Sequence, residues 1–111
     1  MKLLTKELEK KLPALYSQDG KGMDAIAQAK FFHACAHATW FVTEYDPEER
    51  LFFGWAELHP GCGELGYASL DEMESVKGPL GLGIERDLHF SPVPLKDAIA
   101  NWKKERGLSN V

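Results

Sequence analysis

The sequence predicts an α+β fold: an antiparallel β-meander sheet of about four to five strands, with helices packed on one face. Two observations support this prediction. Several short apolar or alternating segments follow one another through turns too short for crossover connections, and helical patterns flank them at both ends of the chain. The 111 residues suffice for one hydrophobic core, so we expect a single domain over residues 1–111.

Three helices are predicted from capping residues and apolar periodicity. Thr5 is a suitable N-cap for the first helix, which Pro13 limits to about two turns. Ser69 and Glu72 form a capping box for the second, and Gly107 suits the position after the end of the third. In each of these regions apolar residues recur every three or four positions: Leu4, Leu8, Leu12 and Leu15; Leu70, Met73 and Val76; Leu95, Ile99 and Trp102.

Four strands are expected over residues 27–32, 38–45, 51–58 and 64–69, pairing antiparallel in sequence order. The third is apolar on both faces, which is typical of an internal strand. A further extended segment is expected over residues 84–90. Its two-residue period would place Glu85, Asp87 and His89 on one face and Arg86 on the apolar face with Ile84, Leu88 and Phe90.

Composition excludes several classes of protein. The net charge of −4 arises from acidic and basic residues mixed along the chain, which argues against nucleic-acid binding as the main task. No apolar run approaches the roughly 20 residues of a membrane span. Two cysteines, Cys35 and Cys62, are too few for a disulfide framework, so we expect a cytoplasmic protein with reduced thiols.

Several sequence blocks resemble the DUF2958 family of small bacterial proteins. The resemblance runs from the start of the chain to about Leu95 and is carried by Lys30-Phe-Phe, Leu51-Phe-Phe-Gly, Glu64-Leu-Gly-Tyr and, most specifically, Gly78-Pro-Leu-Gly-Leu-Gly-Ile-Glu-Arg-Asp-Leu-His-Phe90. It implies no established activity and no catalytic residues. It implies an association with plasmids, conjugative elements and phages.

A metal site is one interpretation of the histidines. His33, Cys35 and His37 would lie on one face of a strand, and His59 and Cys62 in a neighbouring turn would complete the ligand set. A solvated, histidine-rich turn is the alternative, and we favour it. We therefore predict no metal and no cofactor.

The charged row near the end of the chain is the other candidate site. Glu85, Asp87 and His89 suit acid–base chemistry or a hard metal, whereas the simpler interpretation is a solvated strand face. Arg86 in an apolar row requires an acceptor, and Glu64, Glu44 or backbone carbonyl groups are the available ones. Tyr67 precedes this segment on the fourth strand and is included in the candidate site.

These features favour a binding or accessory protein that acts through an unidentified protein partner, rather than an enzyme. No nucleophile motif or phosphate-binding glycine pattern is present. The alternative is a small enzyme or ligand-binding domain with its site around Tyr67, Glu85, Arg86, Asp87 and His89. The oligomeric state stays open.

Overall fold

The computed structural model describes residues 2–107 and confirms the α+β class. Its main sheet has five antiparallel strands in the order β5-β4-β3-β2-β6, and two short strands, β1 and β7, pair separately. The strands are β1 (Ile26–Ala27), β2 (Ala29–His33), β3 (Thr39–Asp46), β4 (Leu51–Glu57), β5 (Glu64–Ser69), β6 (Ile84–Arg86) and β7 (Val93–Pro94). The helices are α1 (Lys6–Lys11), α2 (Leu70–Ser75) and α3 (Leu95–Glu105).

The meander from β2 to β5 follows the expected sequence order, and β4 is internal as predicted. One difference is that the first expected strand is divided at Gln28, whose N–H donates to the carbonyl of Val42 (2.8 Å). The residues before it leave the main sheet as β1 and pair with β7. The extended segment that follows α2 joins the opposite edge of the sheet, because β6 pairs with β2.

The helix boundaries follow the capping residues. The hydroxyl of Thr5 accepts a hydrogen bond from the N–H of Leu8 (3.1 Å), and the hydroxyl of Ser69 accepts one from the N–H of Glu72 (3.2 Å). Gly107 follows the end of α3 with a left-handed φ of 74°. Within residues 2–107, no helix has both the length and the apolar character needed to cross a bilayer.

The helices lie on both faces of the sheet, whereas one face was expected. On the first face, the α1 face, α1 and α2 pack over Phe31 and Phe52. On the second, the α3 face, α3 packs over Phe41 and Trp55. Since β3 and β4 are apolar on both sides, a single helical layer would leave one set of aromatic side chains in water.

A buried polar anchor holds the segment between α1 and β1. Glu44, on β3, is 4% exposed, and its carboxylate accepts hydrogen bonds from the backbone N–H groups of Tyr16 (2.8 Å) and Gln18 (2.7 Å). The side chain of Gln18 donates to the carbonyl of Thr43 (3.0 Å) and accepts from the N–H of Ile26 (2.7 Å). The segment is thus fixed by hydrogen bonds, which apolar periodicity does not reveal.

Candidate functional site

A cleft of about 460 Å³ opens between β6, the turn that follows it and the last turns of α3. Its lining contains cationic and anionic side chains in equal number. These are Lys30, Arg86 and Arg106 against Glu85, Asp87 and Glu105, with His33 and His89 beside them. We call this feature the β6–α3 cleft. Since the chain as a whole carries −4, the cleft is less negative than the rest of the protein.

Lys30 lies at the floor of the β6–α3 cleft. Its side chain is 15% exposed, and its ammonium group is 3.5 Å from Oδ2 of Asp87. That distance is longer than a hydrogen bond, so the ammonium keeps donors for the oxygen atoms of a ligand. A second cavity, of about 260 Å³, also contains Lys30, Asp87 and His89 and extends the cleft along α3.

Asp87 fixes the turn that forms one wall of the cleft. Its N–H donates to the carbonyl of Lys30 (2.9 Å), and its side chain accepts from the N–H of His89 (2.9 Å). The N–H of Phe90 then donates to the carbonyl of Asp87 (3.3 Å), which closes a turn. The extended segment expected over 84–90 therefore ends at Arg86. Leu88 is exposed, and Phe90 packs on the α3 face instead of lying beside Ile84.

The structure divides the candidate residues between two edges of the sheet. Glu85, Arg86, Asp87 and His89 all line the β6–α3 cleft. Tyr67 lies on β5, at the opposite edge, with three strands between it and β6. The pairing of β6 with β2 adds Lys30 to the site, and α3 adds Trp102 and Arg106 from residues distant in sequence.

Arg86 is partly buried, as its position beside Ile84 in β6 predicted. The two carboxylates considered as its partners lie elsewhere. Glu64 is on β5 at the far edge of the sheet, and Glu44 binds the backbone of the segment before β1. The sequence did not decide among these carboxylates and the backbone carbonyl groups, because it does not indicate which strand residues 84–86 pair with.

The family model described as a protein of unknown function, DUF2958, matches residues 3–107. The chain belongs to the DUF2958 family. The match includes every strand of both sheets and the whole β6–α3 cleft. Neither a curated protein nor a solved structure matches the chain. The family description assigns no activity to DUF2958 proteins.

The histidine spacing considered for a metal does not lie on one strand. β2 ends at His33, whose Nδ1 accepts a hydrogen bond from the N–H of Cys35 (3.0 Å) in the following turn. His37 is 2.7 Å from Oε2 of the buried Glu57, and its ring contacts the edge of Trp102. Across residues 2–107, no three histidine, cysteine or acidic side chains are placed to share a metal ion.

Tyr67 interacts with Tyr16 at the β5 edge. The neighbouring Tyr16 side chain is the main cause that raises the pKa of Tyr67 above the ordinary value of 10.0, and some desolvation and the nearby carboxylate of Asp19 add to it. Because this pKa is higher in the folded than in the unfolded state, the neutral Tyr67 hydroxyl stabilises the folded protein. This contribution is fully present below about pH 10 and is lost as the pH rises through the folded-state pKa.

We expect Tyr16→Phe to lower the pKa of Tyr67 towards its ordinary value, because the main cause of the shift is removed. Ultraviolet titration of tyrosinate absorbance in wild type and the variant measures this change. The same variant on a Tyr67→Phe background is the control. A pKa of Tyr67 that stays raised in Tyr16→Phe contradicts the assignment.

Proposed function

We propose that this DUF2958 protein is a non-enzymatic accessory protein that binds a carboxylate-bearing segment of a partner protein in the β6–α3 cleft. The observation that supports it is the position of Lys30 at the cleft floor, with a loosely placed counter-ion at 3.5 Å. A carboxylate oxygen entering the cleft would complete the hydrogen bonding of the ammonium group. Arg106 and His89 at the rim would add to the attraction.

The arrangement of the cleft favours binding over catalysis. A catalytic acid or base is normally held by a second side chain that fixes its orientation. The hydrogen bonds of the Asp87 carboxylate and the Lys30 carbonyl hold the backbone of the turn, and the contact between the two side chains is the loose one of 3.5 Å. His89 is exposed and contributes its backbone N–H to the same turn. Contacts of this kind hold the wall of the cleft in place, which suits recognition better than proton transfer.

Lys30→Gln tests the proposal. We expect the variant to lose most of a partner that copurifies with the wild-type protein from its native host, because a neutral amide attracts a carboxylate much less strongly than an ammonium does. Its loss of stability should be below about 1 kcal/mol, since the ion contact is loose. Quantitative mass spectrometry of cross-linked complexes gives the first measurement, and urea unfolding gives the second.

Lys96→Gln is the matched control. It also removes one ammonium group, but this one lies on α3 outside the cleft and pairs with Asp24 at 2.8 Å. If both variants kept the partner as fully as the wild-type protein does, a role for Lys30 would be contradicted. Equal loss would show that general charge, rather than the cleft, attracts the partner.

A small enzyme or ligand-binding domain at the same residues is the second candidate. The volume of about 460 Å³ favours it, since cavities of this size hold small ligands. Its residues would be Glu85, Arg86, Asp87 and His89, with Tyr67 excluded by distance across the sheet. A thermal-shift survey of small carboxylates, with binding lost in Lys30→Gln, would support this candidate instead.

The cellular setting is part of the proposal. The family resemblance supports a bacterial protein of plasmids, conjugative elements or phages, and the two cysteines without a disulfide support action in the cytoplasm. Mapping the genes that flank its coding sequence tests this context. Genes for conjugation or phage functions are the expected neighbours, and a setting among core metabolic genes would contradict the proposal.

A further inference from the structure

β5 forms an open edge of the main sheet. It pairs with β4 along Glu64–Ser69 and is the last strand in the sheet order. Natural edge strands are usually kept short or carry lysine, proline or a bulge, which prevent pairing with another strand. The other edge fits this rule, because β6 has three residues and two of them are charged. β5 has six residues, and only Glu64 is charged.

The outer backbone groups of β5 belong to its odd-numbered residues. The N–H of Leu70 donates to the carbonyl of Arg50 (2.9 Å), so these two residues form a hydrogen-bonded pair. From this pair, β5 and β4 stay in the same register as far as Glu64. Since bonding direction alternates along an antiparallel strand, the even-numbered residues bond to β4 and the N–H and C=O groups of Leu65 and Tyr67 point outward. Their side chains, 42% and 53% exposed, form an apolar border on the α3 face.

A groove of about 290 Å³ runs beside this edge on the α1 face. Its floor is formed by small residues of two paired strands, with Gly54 opposite Gly66 and Ala56 and Ala68 beside them. Neither α1 nor α2 covers this part of the sheet. A Cβ atom built on Gly66 meets no atom within 4 Å, so the space above it is open. We call this feature the β5 groove.

The β5 groove carries a negative border. Among the described residues that line it, Glu64 has the single fixed charge, and His59 and Cys62 are the other titratable groups apart from Tyr67. Asp19 adds a second carboxylate on the opposite side of the edge, where it lines a cavity together with Leu65. Among the described residues, neither the lining of the groove nor that of the cavity at Asp19 contains a lysine or arginine, so a positively charged occupant is favoured.

We propose that β5 binds an extended, basic segment of a partner protein as an added strand, with an apolar side chain in the β5 groove. The outward N–H and C=O groups supply main-chain hydrogen bonds, and the groove selects the side chain that alternates inward. The volume is near the lower limit for small-molecule pockets, which suits one or two side chains. This surface is at the opposite edge from the β6–α3 cleft and is independent of its function.

A synthetic peptide provides the probe. We would use a blocked peptide of alternating lysine and valine, about seven residues long, and compare it with a glutamate–valine peptide of equal length. Cys62 lines the groove and Cys35 does not, and both thiols are exposed. Alkylation by N-ethylmaleimide, followed site by site with mass spectrometry, therefore reports occupancy at Cys62 and has an internal control at Cys35.

We expect the lysine peptide, at tenfold its Kd, to slow alkylation of Cys62 about tenfold and to leave Cys35 unchanged. Gly66→Val should abolish this protection, because its side chain enters the open space above Gly66. Ala100→Val, on the exposed side of α3, is the control for added bulk and should keep full protection. Glu64→Lys should reverse the preference towards the glutamate peptide, even if Gly66→Val proves unstable.

Four outcomes would overturn the proposal. Equal protection of both cysteines, or protection that persists in Gly66→Val with its fold intact by circular dichroism, would place the peptide elsewhere. Equal binding of both peptides would show that the β5 groove does not prefer a basic occupant. A concentration-dependent dimer that protects Cys62 without peptide and is lost in Gly66→Val would identify a second copy of this chain as the occupant.

Discussion

Replacing Gly54 by alanine should lower the free energy of unfolding by about 3 kcal/mol. Gly54 is buried on β4, opposite Val42 and next to the register shift between Val42 and Glu44 on β3. A Cβ atom at this position would overlap the carbonyl oxygen of Phe41 and lie 2.8 Å from the Cα of Val42. Both are backbone atoms of a central strand, so neither can move aside by a change of rotamer.

A substitution at Gly66, which lies opposite Gly54 on β5, provides the control. Gly66→Ala places the same methyl group into open space on the neighbouring strand, so its stability should lie within about 0.5 kcal/mol of wild type. Urea unfolding of the two variants gives the comparison. The midpoint should fall for Gly54→Ala, while the dependence of the unfolding free energy on urea concentration stays constant. Similar midpoints for both variants would show that the approach of β3 to β4 at Gly54 is looser than described.

Glu44→Ala should also cost about 3 kcal/mol. Its buried carboxylate accepts hydrogen bonds from the N–H groups of Tyr16 and Gln18, and alanine leaves both donors without this acceptor. The loss should be local at first, because these bonds fix the segment before β1. Hydrogen exchange at the Gln18 amide should therefore accelerate more than exchange at the amides of β3 and β4.

Two variants make this result specific. Glu44→Gln keeps one carbonyl acceptor and should lose about half as much stability as Glu44→Ala. Glu64→Ala removes an exposed carboxylate from β5 and should change stability by less than about 0.5 kcal/mol. If Glu44→Ala left the exchange of the Gln18 amide unchanged, Glu44 would not be the anchor of this segment.

Much of the fold follows from local sequence signals. Thr5 and Ser69 begin their helices as predicted, since a capping hydroxyl acts on N–H groups within one turn. The strand 64–69 has the expected bounds, and β4 is internal because its side chains are apolar on both faces. The same apolar pattern also required helices on both faces, which was not inferred.

The candidate site was predicted less completely. Four of its residues meet in the β6–α3 cleft because they are neighbours along the chain. Lys30, Trp102 and Arg106 were missed, since only the pairing of β6 with β2 and the packing of α3 bring them there. Glu44, one of the acceptors considered for Arg86, binds the backbone of Tyr16 and Gln18 instead. A lone acidic residue in a strand does not indicate which backbone it will bind.

The sequence by itself determined the class of fold, the helix starts and the order of the meander, because each depends on interactions between residues close in the chain. The tertiary structure alone decided that β6 joins the edge opposite β5. That choice separates Tyr67 from the cleft, leaves the edge of β5 open and places the β5 groove beside it. Side-chain periodicity specifies which face a residue occupies, whereas strand neighbours are set by backbone hydrogen bonds between distant segments.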